Sequence, residues 1–534
     1  MNLKTYNFSL ADLTHPEEII KESLPFEIRA IQRALNNDLF IQKDYLLFWN
    51  DSMGSPNWLD IAVAVNGKGD WWHASQLLLK TDDLALFSYV RPCWMLNTEV
   101  NDKTPFVNWK VSIDCFLIRT ETLKNLGFLQ CNFKSIDIAL LELGYRAIQY
   151  GIVPIYYPGL LGSLNNKKRY SQFILADQLL LIKMHSTILW HYWAAWRINV
   201  KEKIGFITIL RQIHSIKNCS LKTSNSPYFK ELKLFGMISA LPAISVVMIT
   251  LGRYKFISGV IDQLLEQTIL PIEIIVIDAT SEAEKPFDLG KKYANAPIPI
   301  IVEKAKVVGQ CSQRNQGILK SKGNYVYFID DDMEGIQPNH LSNHWQNIQR
   351  YKAEVSSGMP DEVGIAPMER ANKWAKVSDV FPTNDSLVYK PTLFKAGLFD
   401  IKMDKGQSED HELGIRLFKS GALMVLDPFI ASLHLRASSG GLRIHGARKV
   451  TYSSARNKIA HRRLPHITEF YLSLKHHKKS EVDEMKLISA FGTFSIRGNF
   501  IKKLLKIATS FLYLPHTLIQ LNKKIRAAKI LLNR

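Results

Sequence analysis

Three short, β-branched runs constrain the fold of this chain most. Ile244–Ile249 (ISVVMI), Ile272–Asp278 (IEIIVID) and Tyr325–Ile329 (YVYFI) alternate with segments of helical apolar spacing, Phe256–Gln267 and Gln313–Lys320. Strands that are apolar throughout are buried on both faces, and strand–helix–strand alternation predicts an α/β domain with a mostly parallel sheet. The longest charge-free run, Leu234–Gly252, contains the first of these strands. Its Ser239, Pro242, Ser245 and Thr250 argue for a buried strand rather than a membrane span.

The third strand runs directly into Asp330-Asp331-Asp332. Three adjacent carboxylates repel one another and call for a positive partner. Ligands of open α/β sheets bind at the carboxyl ends of strands, and carboxylates at i and i+2 on an extended chain point the same way. Asp330 and Asp332 can therefore share one Mg²⁺ or Mn²⁺ that holds a diphosphate. A solvated acidic turn explains the triplet alone equally well.

The blocks around the triplet, taken in order, resemble the family 2 glycosyltransferases, which have a nucleotide-binding GT-A fold built around a DxD motif. ISVVMITLGR matches the family's first strand and turn, LLEQTILPIEIIVID its second strand, and GQCSQRNQGILKSKGNYVYFIDDD the block that ends in the metal-binding aspartates. The resemblance spans about residues 241–450. It implies metal ligation by Asp330, Asp332 and His434. It also implies nucleotide-sugar binding by Thr250, Arg253, Asp278, Gln310, Arg314 and Asp331. Arg314 can pair with donor phosphates or hold the carboxylate cluster, and a plain salt bridge is its bland reading.

A second carboxylate pair, Glu409-Asp410, enters an amphipathic helix after Gly397-Leu398-Phe399-Asp400. Acidic residues at a helix start are often simple caps. The resemblance instead implies that Asp410 is the catalytic base, with Glu409 beside it. One base and no covalent nucleophile imply direct displacement with inversion. His434 precedes a basic Ser-Ser-Gly-Gly loop at 438–441, flanked by Arg436 and Arg443, which suits a phosphate. Ile249, Gly252 and Ala279 depart from the family pattern, which leaves the base and sugar of the donor open.

Residues 217–232 read as a linker, and the region before them resembles a worn copy of the same fold. KNLGF at 124–128 parallels KAGLF at 395–399, Ile136-Asp137 stands for Glu409-Asp410, and Asn50-Asp51 stands for the aspartate triplet. The expectation is a truncated, non-catalytic GT-A-like domain over 1–235; an unrelated α/β domain is the alternative. The clusters Trp71-Trp72-His73 and Trp190–Trp196 are read as core or interface material before sugar platforms.

Charge is concentrated at the end of the chain. Residues 441–534 hold 20 Lys and Arg against 4 Asp and Glu, while the first 440 hold 48 against 45. In 451–534, Ile501, Leu504, Leu505, Ala508 and Phe511 form one helical stripe opposite Lys502, Lys503 and Lys506. Leu521, Ile525, Ala528 and Leu532 form a second stripe. Such basic amphipathic helices over 500–534 suit an anionic membrane surface; a stripe packed on the body is the other reading. Nucleic acid is the weaker partner, because no binding motif accompanies the charge. The five cysteines lack metal-ligand spacing, so neither a zinc site nor a disulfide framework is expected. The N-terminus lacks the layout of a secretory signal, so the expected location is the cytoplasm, with the basic tail at the inner face of the cell membrane.

The sequence thus predicts a GT-A-type α/β domain, preceded by a degenerate copy and followed by basic helices. It predicts a Mn²⁺- or Mg²⁺-dependent, inverting glycosyltransferase that moves a sugar from a nucleotide-sugar donor to a glycan or lipid-linked acceptor in polysaccharide biosynthesis. The alternative is a carbohydrate-binding or scaffold protein with a retired site.

Overall fold

The computed structural model describes residues 2–534 except 17–18, 26–42, 76–78, 81–84, 128–132, 162–168, 171–173, 217–240, 364–373, 438–458, 460–462 and 493–498. The linker, the 438–441 loop, Arg443, Cys131 and Cys219 therefore lie outside the described residues. The chain divides into two compact units. One comprises Met1–Arg91, Glu99–Phe235 and Trp374–Val377; the other comprises Pro92–Thr98, Gly236–Lys373 and Ser378–Arg534. The basic tail belongs to the second unit.

The first unit is built on strands β1 (Asn2–Phe8), β2 (Ile20–Pro25), β3 (Tyr45–Asn50), β4 (Trp71–His73), β5 (Phe106–Val107), β6 (Cys115–Arg119) and β7 (Pro154–Tyr156). Their order in the sheet is β2-β1-β3-β6-β4-β7-β5. From β3 outward, the β3–β6 and β6–β4 pairs are antiparallel and the β4–β7 pair is parallel. On the other side β3 is flanked by antiparallel β1. Trp71 and Trp72 are buried in this sheet. Helices α1 (Thr120–Leu126), α2 (Ile136–Gln149) and α3 (Leu175–His185) accompany it. The α2 face carries a buried Glu142–Arg146 pair at helical i, i+4 spacing. Arg146 also donates to the carbonyls of Leu126 and Gly127 at the end of α1, and His185 of α3 lies 3.2 Å from Glu142.

The second unit has β8 (Ile244–Thr250), β9 (Glu273–Asp278), β10 (Ile300–Lys304), β11 (Tyr325–Asp330), β12 (Val355–Ser357), β13 (Asp385–Tyr389) and β14 (Met424–Leu426). They run β10-β9-β8-β11-β13-β12-β14 in one sheet. The first four are mutually parallel, so Thr250, Asp278 and Asp330 all fall at carboxyl ends on one edge of the sheet. The β11–β13 and β13–β12 pairs are antiparallel and the β12–β14 pair is parallel. Helices α4 (Tyr254–Leu265), α5 (Gln310–Lys320), α6 (His340–Tyr351), α7 (Lys390–Ala396) and α8 (Glu409–Lys419) cover the sheet.

Two local devices place α5. Gly317 brings the helix against β8, where an added Cβ would stand 2.4 Å from Val247 Cγ1. The Asp404 carboxylate accepts from the N–H groups of Cys311 and Ser312, satisfying donors that a helix start leaves open.

The tail forms α9 (Ile467–His476), α10 (Phe500–Leu512) and α11 (Leu514–Asn533), with a further helix at Lys479–Phe491. The stripe of α11 turns inward: Leu521 and Ala528 are buried, α11 packs against α9, and Lys524 donates to the Pro465 carbonyl. This helix follows the second of the two readings of its stripe. On α10 the apolar stripe stays exposed, together with Lys502 and Lys503. Lys506 is only 2% exposed, whereas Leu504, Leu505 and Phe511 are 51%, 45% and 63% exposed. No helix of the described residues is long and apolar enough to cross a membrane.

Candidate active site

The end of β11 and a small three-stranded sheet, in which Leu433–His434 lies between Met333–Glu334 and Asp361–Glu362, assemble the cluster. Met333–Glu334 pairs antiparallel with Leu433–His434, placing His434 opposite Met333. Ligand atoms of Asp330, Asp332 and His434 then lie within 4.8 Å of one another. His434 Nε2 is 3.3 Å from Asp332 Oδ1. Asp332 Oδ2 accepts from the Ala437 N–H at 2.8 Å.

The middle aspartate turns away from this group. Asp331 accepts from Thr250 Oγ1 at 2.6 Å and from Arg253 at 2.9 Å, and Arg253 also lies 3.2 Å from Asp332. Burial, with Asp332 adding to it, pushes the Asp331 carboxyl up to about 7 against the pull of Arg253 and Thr250. Burial acts on Asp332 in the same sense, but His434, Arg253 and the Ala437 N–H outweigh it and hold the carboxyl at about 2. Burial lowers the His434 pKa less than Asp332 and Asp330 raise it, so the net shift is upward.

Arg314 links the two carboxylate sets. Its guanidinium is 3.3 Å from Asp330 and 3.1 Å from Glu409, the first residue of α8. Glu409 is buried and Asp410 half-buried, with Asp410 Oδ1 accepting from the His411 N–H. Asn315 clamps the backbone of Phe399 in both directions, fixing the Gly397–Asp400 turn against α5. Asp400 in turn receives Tyr471 and Lys475 from α9.

Some predicted donor-binding groups are engaged within the protein. The Asp278 carboxylate accepts from Tyr254 Oη and the Thr280 N–H, and Lys285 stands 3.2 Å away. Gln310 bonds the backbone of residues 403–406 rather than facing the strand edge. Arg436 pairs with Glu362. Sequence reasoning missed Glu412, which binds Arg416 and receives His476 and Lys475. It also missed a second buried group, His340–His344–Asp385. The spacing of His340 and His344 was a signal; Asp385, far along the chain, gave none.

Residues 245–399 match the family described as Glycosyl transferase family 2. The match marks this stretch, under a third of the chain, as similar to the family 2 glycosyltransferases. The chain is 27% identical over 106 residues to "Uncharacterized glycosyltransferase YwdF" of Bacillus subtilis, covering 20% of this chain and 38% of that protein. It is 25% identical over 116 residues to "Glycosyltransferase GlyA" of Streptococcus pneumoniae, covering 22% and 16%. It thus spans well under half the length of these curated relatives. Among solved structures it is similar to S. aureus TarS 1–349 in complex with UDP-GlcNAc, at 15% identity and TM-score 0.36, covering 53% of this chain and 88% of that one. It is also similar to a mannosyltransferase from Pyrobaculum calidifontis in complex with GDP-Man and Mn²⁺, at 14% identity and TM-score 0.34, covering 67% and 86%.

Proposed function

We propose that the chain is a metal-dependent, inverting glycosyltransferase that uses a nucleotide-diphospho-sugar donor and a glycan or lipid-linked acceptor. The observation that carries this is the Arg314 bridge. One buried guanidinium touches Asp330 of the aspartate triplet and Glu409 of the Glu-Asp pair, so donor-side and acceptor-side carboxylates share one site.

Asp330, Asp332 and His434 would hold Mn²⁺ or Mg²⁺. Two carboxylates and an imidazole are a suitable donor set; Asp332 Oδ1 faces His434 Nε2 at 3.3 Å, and the buried His434 Nδ1 has no hydrogen-bond partner among the described residues. When bound, the ion supplies Lewis-acid stabilisation to a departing diphosphate. Asp410, exposed enough to meet an acceptor, takes the proton from its hydroxyl. Arg314 and Arg253 supply fixed positive charge beside the carboxylates. Thr250 and Asp278 mark the strand edge where the nucleoside would lie, with Asp331 beside Thr250, while Gln310 acts from behind by holding the 403–406 backbone.

We read the first unit as a truncated, non-catalytic GT-A-like copy. Its β3-β6-β4-β7 pairs repeat the antiparallel, antiparallel, parallel pattern of β11-β13-β12-β14. Gly127, Glu142, Gly144 and Arg146 recur at one constant spacing as Gly397, Glu412, Gly414 and Arg416. Counted from these anchors, Ala139 and Leu140, not Ile136 and Asp137, occupy the Glu409-Asp410 positions. The copy therefore carries no base there, and antiparallel β1 stands where the parallel donor-binding strand would be.

The exposed apolar face of α10, with Lys502 and Lys503 beside it, supports peripheral attachment to an anionic membrane surface at the cytoplasmic face. The test of the reaction is donor turnover with purified full-length protein. It should require Mn²⁺ or Mg²⁺ and fall at least about 1,000-fold in Asp332→Ala and in Asp410→Asn, the scale of losing an essential acid–base or charge-stabilising group. Turnover surviving both changes would overturn the assignment. Folded protein that binds glycan but never turns a donor over would favour the retired-site alternative.

A further inference from the structure

Beneath the aspartate strand lies a buried polar group that the transferase reaction does not use. α6 places His340 and His344 one turn apart, on one face. Asp385 opens β13, opposite Ile329 of β11. All three side chains are buried and their ligand atoms lie within 4.8 Å of one another. His340 Nε2 and His344 Nε2 are each 2.9 Å from Asp385 Oδ1, and Tyr327 Oη is 2.8 Å from the same oxygen.

Hydrogen bonding alone accounts poorly for this arrangement. Three groups converge on Oδ1, whereas a carboxylate oxygen has two lone-pair directions. Asp385 Oδ2 is equally buried and has no hydrogen-bond partner among the described residues. Leaving a buried acceptor unpaired forfeits its hydration without a replacement bond and is destabilising. Gly358 gives that oxygen its room, since a Cβ there would stand 2.1 Å from it. On its far side His344 contacts Ser356 Oγ through Nδ1 at 2.9 Å. Such a bond orients the ring and leaves Nε2 as the coordinating atom.

We propose that His340, His344 and Asp385 form a second, structural metal site that takes Zn²⁺, with Tyr327 as the fourth donor group. Two imidazoles at helical i, i+4 spacing and one carboxylate are a borderline nitrogen–oxygen set that suits Zn²⁺ over Mg²⁺. Burial on all sides marks a closed site rather than a catalytic one. The ion would pin α6 to the β11–β13 pair, one residue before Asp330. The site involves none of the residues assigned to the reaction and stands whether or not that assignment holds.

The test uses full-length protein carrying His434→Ala, so that metal at the triplet does not confuse the count. After exhaustive dialysis, elemental analysis should find one zinc per chain, and Co²⁺ loaded in its place should show the visible absorption of a four-coordinate ion. Stripping the zinc with 1,10-phenanthroline should lower Tm by about 5 °C or more, with Zn²⁺ restoring it and Mg²⁺ failing to. Adding His344→Gln should remove the zinc. A chain with no zinc whose Tm ignores both chelator and Zn²⁺ would reduce the cluster to a hydrogen-bonded network and overturn the proposal. So would undiminished zinc in the folded His344→Gln variant. If that variant fails to fold, the chelation and Co²⁺ measurements decide alone.

Discussion

Arg314 shows what one residue contributes to this site. Its planar guanidinium spans two carboxylates on different elements, which an ammonium on a flexible stem does not reproduce. Arg314→Lys should therefore retain the fold but lower kcat about 10- to 100-fold, the equivalent of roughly 1.4–2.8 kcal/mol. Steady-state kinetics alongside thermal melts would check this; unchanged kcat with unchanged Tm would show that the bridge does not position the site. Arg314, Asp330, Asp332, Glu409 and His434 were all legible as site candidates. The carboxylates and His434 sit by strand ends or a helix start, Arg314 lies one turn into α5, and the family resemblance orders them. The partners of Thr250 and Asp331 were not legible. Nothing in the sequence says that the middle aspartate turns back to a hydroxyl 81 positions away. The same limit hid the histidine cluster, because Asp385 joins it through strand pairing rather than spacing.

At the scale of elements, the Glu–Arg clamp is used twice. In α2, Glu142 and Arg146 fasten the helix to the end of α1; in α8, Glu412 and Arg416 do the same with Ala396 of α7. Each glutamate also receives a histidine from a later helix, His185 or His476. Removing one partner of a buried pair strands the other charge, at a cost of about 3–5 kcal/mol. Glu142→Gln should accordingly lower the unfolding midpoint of its unit strongly. Glu142→Leu with Arg146→Met should recover much of the loss, because both charges leave together. Denaturant titration followed by tryptophan fluorescence would measure both. A Glu142→Gln loss below about 1 kcal/mol, the range of an exposed pair, would show that the clamp is not a fastening. The parallel strands of the second unit were readable as apolar runs. Its antiparallel half and most of the first unit were not, since several of their strands are only two or three residues long and their pairing is long-range. On the proposed duplication, the clamp residues would put the counterpart of Glu409-Asp410 three positions after the Ile136-Asp137 pair that the sequence suggested.

For the whole molecule, the question is where the excess of 68 basic over 49 acidic residues acts. Periodicity found both tail helices but could not say which face turns inward. α11 buries its stripe against α9, and α9 carries His476 and Lys475 to Glu412. Deleting 500–534 would thus disturb the helix behind the Glu-Asp pair as well as any membrane contact. Point changes in α10 separate the two. Lys502 and Lys503 are exposed, and each basic residue near an anionic surface contributes about 1 kcal/mol. Lys502→Gln with Lys503→Gln should weaken binding to phosphatidylserine-containing vesicles about 30-fold at low salt, and less at high salt where charges are screened. Leu504→Ser with Phe511→Ser should weaken it at every salt concentration, because the lost term is apolar burial and no charge changes. Neither pair touches Glu412, so donor turnover in solution should stay at the wild-type rate. Vesicle sedimentation across a salt series would read the difference. Wild-type binding by both pairs would move the attachment, and with it the role of the charge, away from α10.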